Sequence, residues 1–395
     1  MLSLKSRNWH QSLKEKLGLL EEKNLRRGLQ SVDSPAGASI LIEGKLFLNF
    51  SSNNYLGLAN HPKVKDAAAQ AALEWGAGSG ASRLISGDLK IHRDLEEKLA
   101  RFKKDESALI FTSGYLANLG AVTALAGEKD LVLVDRLNHA SLIDAARLSK
   151  AKLRVYPHKD VSTLNKLLER GGGFKKKFVV TDAYFSMDGD VAPLDKLLEV
   201  CEKHDAALMI DEAHSTGVFG KNGSGLAEQF GLSGKIHVVM GTLSKALGSV
   251  GGFIAGKKVL KEYLVNCARE FIYTTAPAPA ASGAALAAIK IIEAQPLLRK
   301  KYWENILFVR EGLSALDFNL FDSEGPIIPI FIGDTAKTLR LKEFLRQKGI
   351  FTPAIRPPTV PKNTDRIRFS VTAEHTNGDL SQLLAVLKKA KGKFL

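Results

Sequence analysis

A lysine that closes a buried strand among small residues is poorly placed to be a solvated surface charge. Lys245 is such a residue. It follows the apolar run Ile236 to Met240 through Gly241-Thr-Leu-Ser244, and a glycine pair, Gly251-Gly252, leads into a second apolar piece, Phe253 to Ala255. Partial burial disfavours the ammonium form, so this amine can become neutral and nucleophilic. That is the requirement for capturing an aldehyde as a Schiff base. Upstream, another apolar run, Ala206 to Ile210, ends in Asp211, with His214 three residues on. An amine to hold the aldehyde and an anion to keep a pyridine nitrogen protonated are together what a pyridoxal phosphate site needs, because the protonated ring accepts carbanion electrons. Taken singly, each has a plainer reading. A strand-end lysine is usually structural, and an aspartate after a strand commonly caps a turn. The pair favours the cofactor.

Other residues could complete such a site. Ser107 to Tyr115 reads as a strand and a turn, with Ser113-Gly114-Tyr115 opening a helix over Leu116 to Leu125. Unpaired N–H groups and the positive dipole end at a helix N-terminus suit a phosphate; the alternative is an ordinary βα turn. His139 follows the strand Asp130 to Asp135, at the strand end where open α/β sheets place ligands. Its flat imidazole suits ring stacking or acid catalysis. Arg356 lies in the proline-rich segment Gly349 to Pro361. Prolines stiffen the backbone, and a rigidly held guanidinium suits a carboxylate; the alternative is a surface arginine between prolines.

The elements that must position these groups are strands alternating with helices, which predicts an α/β chain with a mostly parallel sheet. Ile40 to Phe50 reads as a hairpin turning at Glu43-Gly44, and residues 1 to about 30 as a polar helical segment with Leu13, Leu17 and Leu20 at helical spacing. From about Ile289 the pattern changes to long helices and short strands, a smaller α+β unit. The expected division is 1–50, an N-terminal helix and hairpin; 51–288, a large cofactor-binding domain; and 289–395, a small C-terminal domain.

With 395 residues, 45% of them hydrophobic and 25% charged, the chain has the composition of a globular enzyme. Two cysteines, Cys201 and Cys267, lack metal-ligand spacing, so no metal is expected, and they fit a reducing cytoplasm. Met1 to Arg7 lacks the apolar block of a secretory signal, and no stretch is long and apolar enough to cross a bilayer. A net charge of +14 raises the question of nucleic acid. The basic residues are scattered and no nucleic-acid-binding motif accompanies them, so a non-catalytic basic protein on this fold is a remote alternative. Attraction for an acidic acyl carrier or the phosphates of coenzyme A is a further reading of the same charge.

Asp211-Glu-Ala-His214-Ser-Thr-Gly-Val-Phe-Gly220 and Thr242-Leu-Ser-Lys245 resemble the cofactor motifs of the α-oxoamine synthases. These are fold-type I pyridoxal-phosphate enzymes, aminotransferase-like in fold, that condense an amino acid with an acyl thioester and release carbon dioxide. The resemblance runs from about Leu25 to His375. It implies that Lys245 holds the cofactor, that Asp211 faces the ring nitrogen, and that His139 stacks on the ring with a part in catalysis and substrate contact. It implies also that Ser186 and His214 bond the ring oxygen, that Ser113, Gly114, Tyr115 and Thr242 contact the phosphate, and that Thr274 and Thr275 reach the phosphate of a partner subunit in a homodimer. Substrate contacts fall on Arg26, Arg356 and Thr359. The wording Arg356-Pro-Pro-Thr-Val-Pro361 is more similar to the branch that joins L-alanine to a pimeloyl thioester than to glycine C-acetyltransferase, 5-aminolevulinate synthase or serine palmitoyltransferase. A sister synthase such as glycine C-acetyltransferase remains the alternative.

Overall fold

The computed structural model describes residues 9–394; the N-terminal reading of Met1 to Arg7 lies outside them. Thirteen strands are present among these residues: β1 (Ser39–Ile42), β2 (Lys45–Asn49), β3 (Ser107–Phe111), β4 (Leu131–Asp135), β5 (Lys152–Tyr156), β6 (Lys177–Asp182), β7 (Ala206–Asp211), β8 (Val238–Thr242), β9 (Gly252–Gly256), β10 (Ile327–Phe331), β11 (Ile350–Phe351), β12 (Ala354–Ile355) and β13 (Arg366–Ser370). Seven of them form the central sheet in the order β3-β9-β8-β7-β6-β4-β5. Strands β5, β4, β6, β7 and β8 run parallel, and β9 is antiparallel to both its neighbours. The central strands are continuous apolar runs, Leu131-Val-Leu-Val and Ala206-Ala-Leu-Met-Ile among them, because helices cover both faces of a parallel sheet and leave no wet side. Two buried clusters on opposite faces reflect this. Leu133, Val179, Leu208 and Val239 belong to one, and Val132, Val134, Val180 and Met209 to the other.

The expected smaller unit holds a sheet of its own, β10-β13-β12, all antiparallel. The hairpin β1-β2 turns at Glu43 and Gly44, both at positive φ (50° and 74°), as a tight two-residue turn requires. Strand β2 then pairs in parallel with β11, Ile350 opposite Leu48. The first and third segments of the expected division therefore share a sheet, a pairing between residues 300 positions apart that local patterning does not register. The helix Trp9–Glu22 has no buried residue, and Leu13, Leu17 and Leu20 lie exposed along it. Among the described residues no single helix is long and apolar enough to cross a membrane.

The loop between β6 and the helix Leu194–Lys203 is pinned from both units. On the large side, His158 makes hydrogen bonds with Asp135 Oδ1 (3.0 Å) and Asp190 Oδ2 (2.8 Å). On the small side, Arg366 donates to Asp188 Oδ1 (2.8 Å) and to the Met187 carbonyl (3.0 Å). Burial alone would lower the basicity of His158, but its two carboxylate partners outweigh burial and raise the imidazole to about 9. The linkage has one sign. A folded-state value above the usual value of about 6.5 gives stability that is fully present below pH ~6.5 and lost as pH rises through about 9. Urea midpoints at pH 7 and pH 10 should fall further for the wild type than for His158→Gln; equal falls would show that the pair is not coupled to folding.

Candidate active site

The carboxyl ends of β4, β6, β7 and β8 and the N-terminus of the helix Gly114–Leu125 enclose a chamber of about 150 Å³. Lys245, Asp211, His139, His214, Thr242, Gly114 and Tyr115 all line it, together with Asn118, Ser141 and Asp182. Lysine and aspartate come together because β7 and β8 are adjacent and parallel, with Asp211 opposite Met240 in register. Both residues lie at or just beyond the same edge of the sheet.

The electrostatics of the chamber suit its chemistry. Burial lowers the Lys245 amine to about 8; the Arg368 charge pushes the same way, and Asp211 and Asp182 oppose it. Asp211 Oδ2 accepts from Asn118 Nδ2 (2.7 Å) and Oδ1 from the Ala213 N–H (2.8 Å). Its register partner Asp182 is pushed well up by burial and then by the Asp211 charge beside it. His139 caps the helix Ala140–Leu148, its Nδ1 accepting the Ser141 N–H (3.3 Å). That bond leaves the proton on Nε2, and desolvation keeps the ring neutral.

At the turn expected to meet a phosphate, the helix begins with free donors. Ser113 caps its helix, accepting the Leu116 N–H at 3.2 Å, so the first N–H groups of Gly114 and Tyr115 point out of the helix with no intrahelical acceptor. A Cβ on Gly114 would stand 2.9 Å from Met240 Cε, which would have to move aside, and 3.4 Å from Thr242 Oγ1, so glycine leaves the helix start open toward β8. The Thr242 hydroxyl donates to the Gly251 carbonyl (2.9 Å).

Other expected residues lie elsewhere. Ser186 and Thr359 line a neighbouring cleft of about 640 Å³ that shares His139 with the chamber. Thr274 and Thr275 follow the helix Arg269–Ile272 and do not line the chamber of their own chain. Arg26 pairs with Glu21 at the surface (2.5 Å). Arg356, expected to meet a substrate carboxylate, donates instead to the carbonyls of Asn24 (2.5 Å) and Arg26 (2.8 Å). The proline-rich segment packs against the N-terminal segment, which takes up its guanidinium.

The guanidinium beside the amine is Arg368, on β13. It is buried, donates to Asn53 Oδ1 (3.0 Å), and keeps a buried Nε with no partner among the described residues. Its charge depresses both Lys245 and His214. Its sequence signal was present but indirect: in Arg366-Ile-Arg-Phe-Ser370 two arginines alternate within an otherwise apolar strand. Asn118 was also missed, although it lies one helical turn beyond Gly114.

Pyridoxal phosphate fits this arrangement on two structural grounds. Asn118 Oδ1 is a buried acceptor without a partner among the described residues, beside the chamber. The donor set, too, is the cofactor's complement: an amine for its aldehyde, a carboxylate for its ring nitrogen and helix N–H groups for its phosphate.

Residues 45–387 match the family description "Aminotransferase class I and II". Among curated proteins, an 8-amino-7-oxononanoate synthase of Thermoanaerobacter pseudethanolicus is 44% identical, covering 97% of this chain and 97% of its own. Among solved structures, a serine palmitoyltransferase from S. paucimobilis with bound PLP and myriocin superposes with a TM-score of 0.92 at 30% identity, over 96% of this chain and 97% of that one. An 8-amino-7-oxononanoate synthase from Francisella tularensis superposes with a TM-score of 0.77 at 32% identity, over 88% and 99%.

Proposed function

The chain belongs to the class I and II aminotransferase family and, within it, to the 8-amino-7-oxononanoate synthases, and we propose that it joins L-alanine to a pimeloyl thioester with loss of carbon dioxide, a step of biotin biosynthesis. The observation that carries this reading is the meeting of the Lys245 amine and the Asp211 carboxylate across one enclosed chamber.

Pyridoxal phosphate is the cofactor of this family, and when bound it supplies an electron sink for a carbanion at the amino acid's Cα. Lys245 would hold its aldehyde, Asp211 its ring nitrogen, His214 and Ser186 its ring oxygen, and Ser113, Gly114, Tyr115 and Thr242 its phosphate. Thr274 and Thr275 of a second copy would complete that phosphate site. In the reaction itself, Lys245 takes the α-proton, since an amine lowered to about 8 is partly neutral at physiological pH. Asp211 keeps a negative charge fixed where positive charge must persist. Arg368, whose charge acts on Lys245, binds the alanine carboxylate. His139, open to both chamber and cleft, donates from Nε2 to the donor's carbonyl oxygen as the new carbon–carbon bond forms, and the carbon–sulfur bond then breaks to release the thiol. The acyl thioester lies in the neighbouring cleft, whose apolar Leu137, Ile143 and Val360 suit a methylene chain and whose Arg136 and Arg147 suit an anionic carrier, coenzyme A or an acyl carrier protein.

A homodimer accounts for two surface features: the exposed Leu13, Leu17 and Leu20 of the first helix, and the Thr274-Thr275 turn outside its own chamber. Two unpaired cysteines, one buried and one exposed, suit the cytoplasm.

Product identification by mass spectrometry tests the reading. Alanine with pimeloyl-CoA should yield 8-amino-7-oxononanoate and one carbon dioxide per turn. Faster carbon dioxide release from glycine with acetyl-CoA would move the chain to a sister synthase.

A further inference from the structure

His214 lies on the turn after β7, buried, with its Nδ1 2.6 Å from the hydroxyl of Tyr55. Tyr55 is fully buried and stacked on Tyr302, centroids 6.0 Å apart. Burial, with the positive charge of Lys245 and Arg368 nearby, keeps the His214 imidazole neutral, and burial pushes the Tyr55 hydroxyl up to about 12, so it keeps its proton. Two neutral groups at that distance share a hydrogen bond in one of two ways. Tyr55 donates to Nδ1, or Nδ1–H donates to the tyrosine oxygen and the tyrosine proton turns elsewhere. The other acceptor for that proton among the described residues is Asn53 Oδ1, at 3.3 Å. That oxygen already accepts from Arg368 Nη2 at 3.0 Å. An O–H bond at 3.3 Å to a shared acceptor is weak, and one at 2.6 Å to an imidazole nitrogen is strong. The first arrangement wins, and a neutral imidazole that accepts at Nδ1 must carry its proton on Nε2.

We propose that Tyr55 is a positioning residue that locks His214 in the Nε2–H tautomer and so makes it a fixed hydrogen-bond donor to an anionic, phenolate-type oxygen bound in the chamber. His214 lines that chamber, and its Nε2 has no protein partner among the described residues. The opposite tautomer would present a lone pair to the same oxygen and repel it. The Arg368 guanidinium acts directly on the Tyr55 hydroxyl, its charge opposing the effect of burial there, so one small network joins the donor at the ring to the guanidinium at the substrate end. The proposal rests on the cofactor reading above, but the tautomer can be read without turnover. A protein that failed to convert alanine and pimeloyl-CoA would still report on it.

The test uses holoenzyme labelled with 15N-histidine. Long-range 1H–15N spectra separate protonated from bare ring nitrogens, and the signals lost in His214→Gln identify the residue. Wild type should show Nε2 protonated and Nδ1 bare. Tyr55→Phe should give a tautomer mixture, move the pH titration of the bound cofactor's visible absorbance by about one unit, and lower kcat about tenfold, with the KM for the amino acid within about twofold. An Nδ1–H tautomer in wild type overturns the proposal whatever the variant does. So does a folded Tyr55→Phe enzyme that keeps both the tautomer and the titration of the wild type.

Discussion

Lys245→Ala should lower turnover by about 10⁴-fold or more, the upper range for loss of a positioned acid–base group, and should abolish reductive trapping. Borohydride treatment of the wild type should leave the cofactor's mass on the peptide that contains Lys245, and none on the variant. The expectation follows from the position of the amine. Among the described residues no other lysine lines the chamber, so the variant has no substitute nucleophile there. The charge environment supplies a second, independent readout. Arg368 helps to hold the amine at about 8. A step that needs the neutral amine therefore gains rate as pH rises through about 8. Removing the Arg368 charge raises the amine's basicity, so Arg368→Met should move that limb to higher pH while weakening amino-acid binding. Arg356→Met should leave the limb in place, because its guanidinium is taken up by the carbonyls of Asn24 and Arg26. A trapped cofactor on any residue but Lys245, or full turnover by the alanine variant, would remove the basis of the proposed chemistry.

The contrast between the two arginines shows what local patterning can and cannot carry. Lys245, Asp211, His139 and the Ser113-Gly114-Tyr115 turn each stand at the end of an apolar strand, and in a parallel sheet all such ends lie on one edge. Their convergence is encoded in periods of a few residues. Arg368 comes near Lys245 by another route: β13 pairs with β10 and β12, and its Arg366 and Arg368 reach across to Met187, Asp188 and Asn53. The alternation of Arg366 and Arg368 marks one face of the strand as polar but does not record what that face meets. The same holds for the β2–β11 pairing, which joins the N-terminal hairpin to the small unit. Tyr55 likewise sits in a polar segment, Ser51 to Gly57, whose hydrogen-bonding groups mark it as more than core. Its partner His214 is 159 residues away.

A buried ion pair holds the catalytic turn from behind, and breaking one side of it should cost about 3–5 kcal/mol of stability. Lys103, the last residue of the helix Lys90–Lys103, is buried; its Nζ bonds Glu212 Oε2, Thr216 Oγ1 (2.9 Å) and the Ser224 carbonyl. Glu212 is fully buried, directly after Asp211, and its Oε1 accepts the Ala227 N–H (2.7 Å). The fit is close: Gly225 sits at φ 135°, where a Cβ would lie 2.4 Å from Glu212 Oε2. Lys103→Met keeps the length of the side chain but strands a carboxylate in the core, so urea unfolding should show the loss in full. Lys103→Met with Glu212→Gln removes both charges and should return most of it, since a neutral pair of similar volume avoids the desolvation of two ions. The recovered double variant should still be impaired as an enzyme. Glu212 anchors the chain between Asp211 and His214, and a weaker anchor lets both drift from the chamber wall. Equal instability in the single and double variants would mean that Lys103 contributes packing alone, and that the turn is held by its backbone bonds to Ser215 and Thr216.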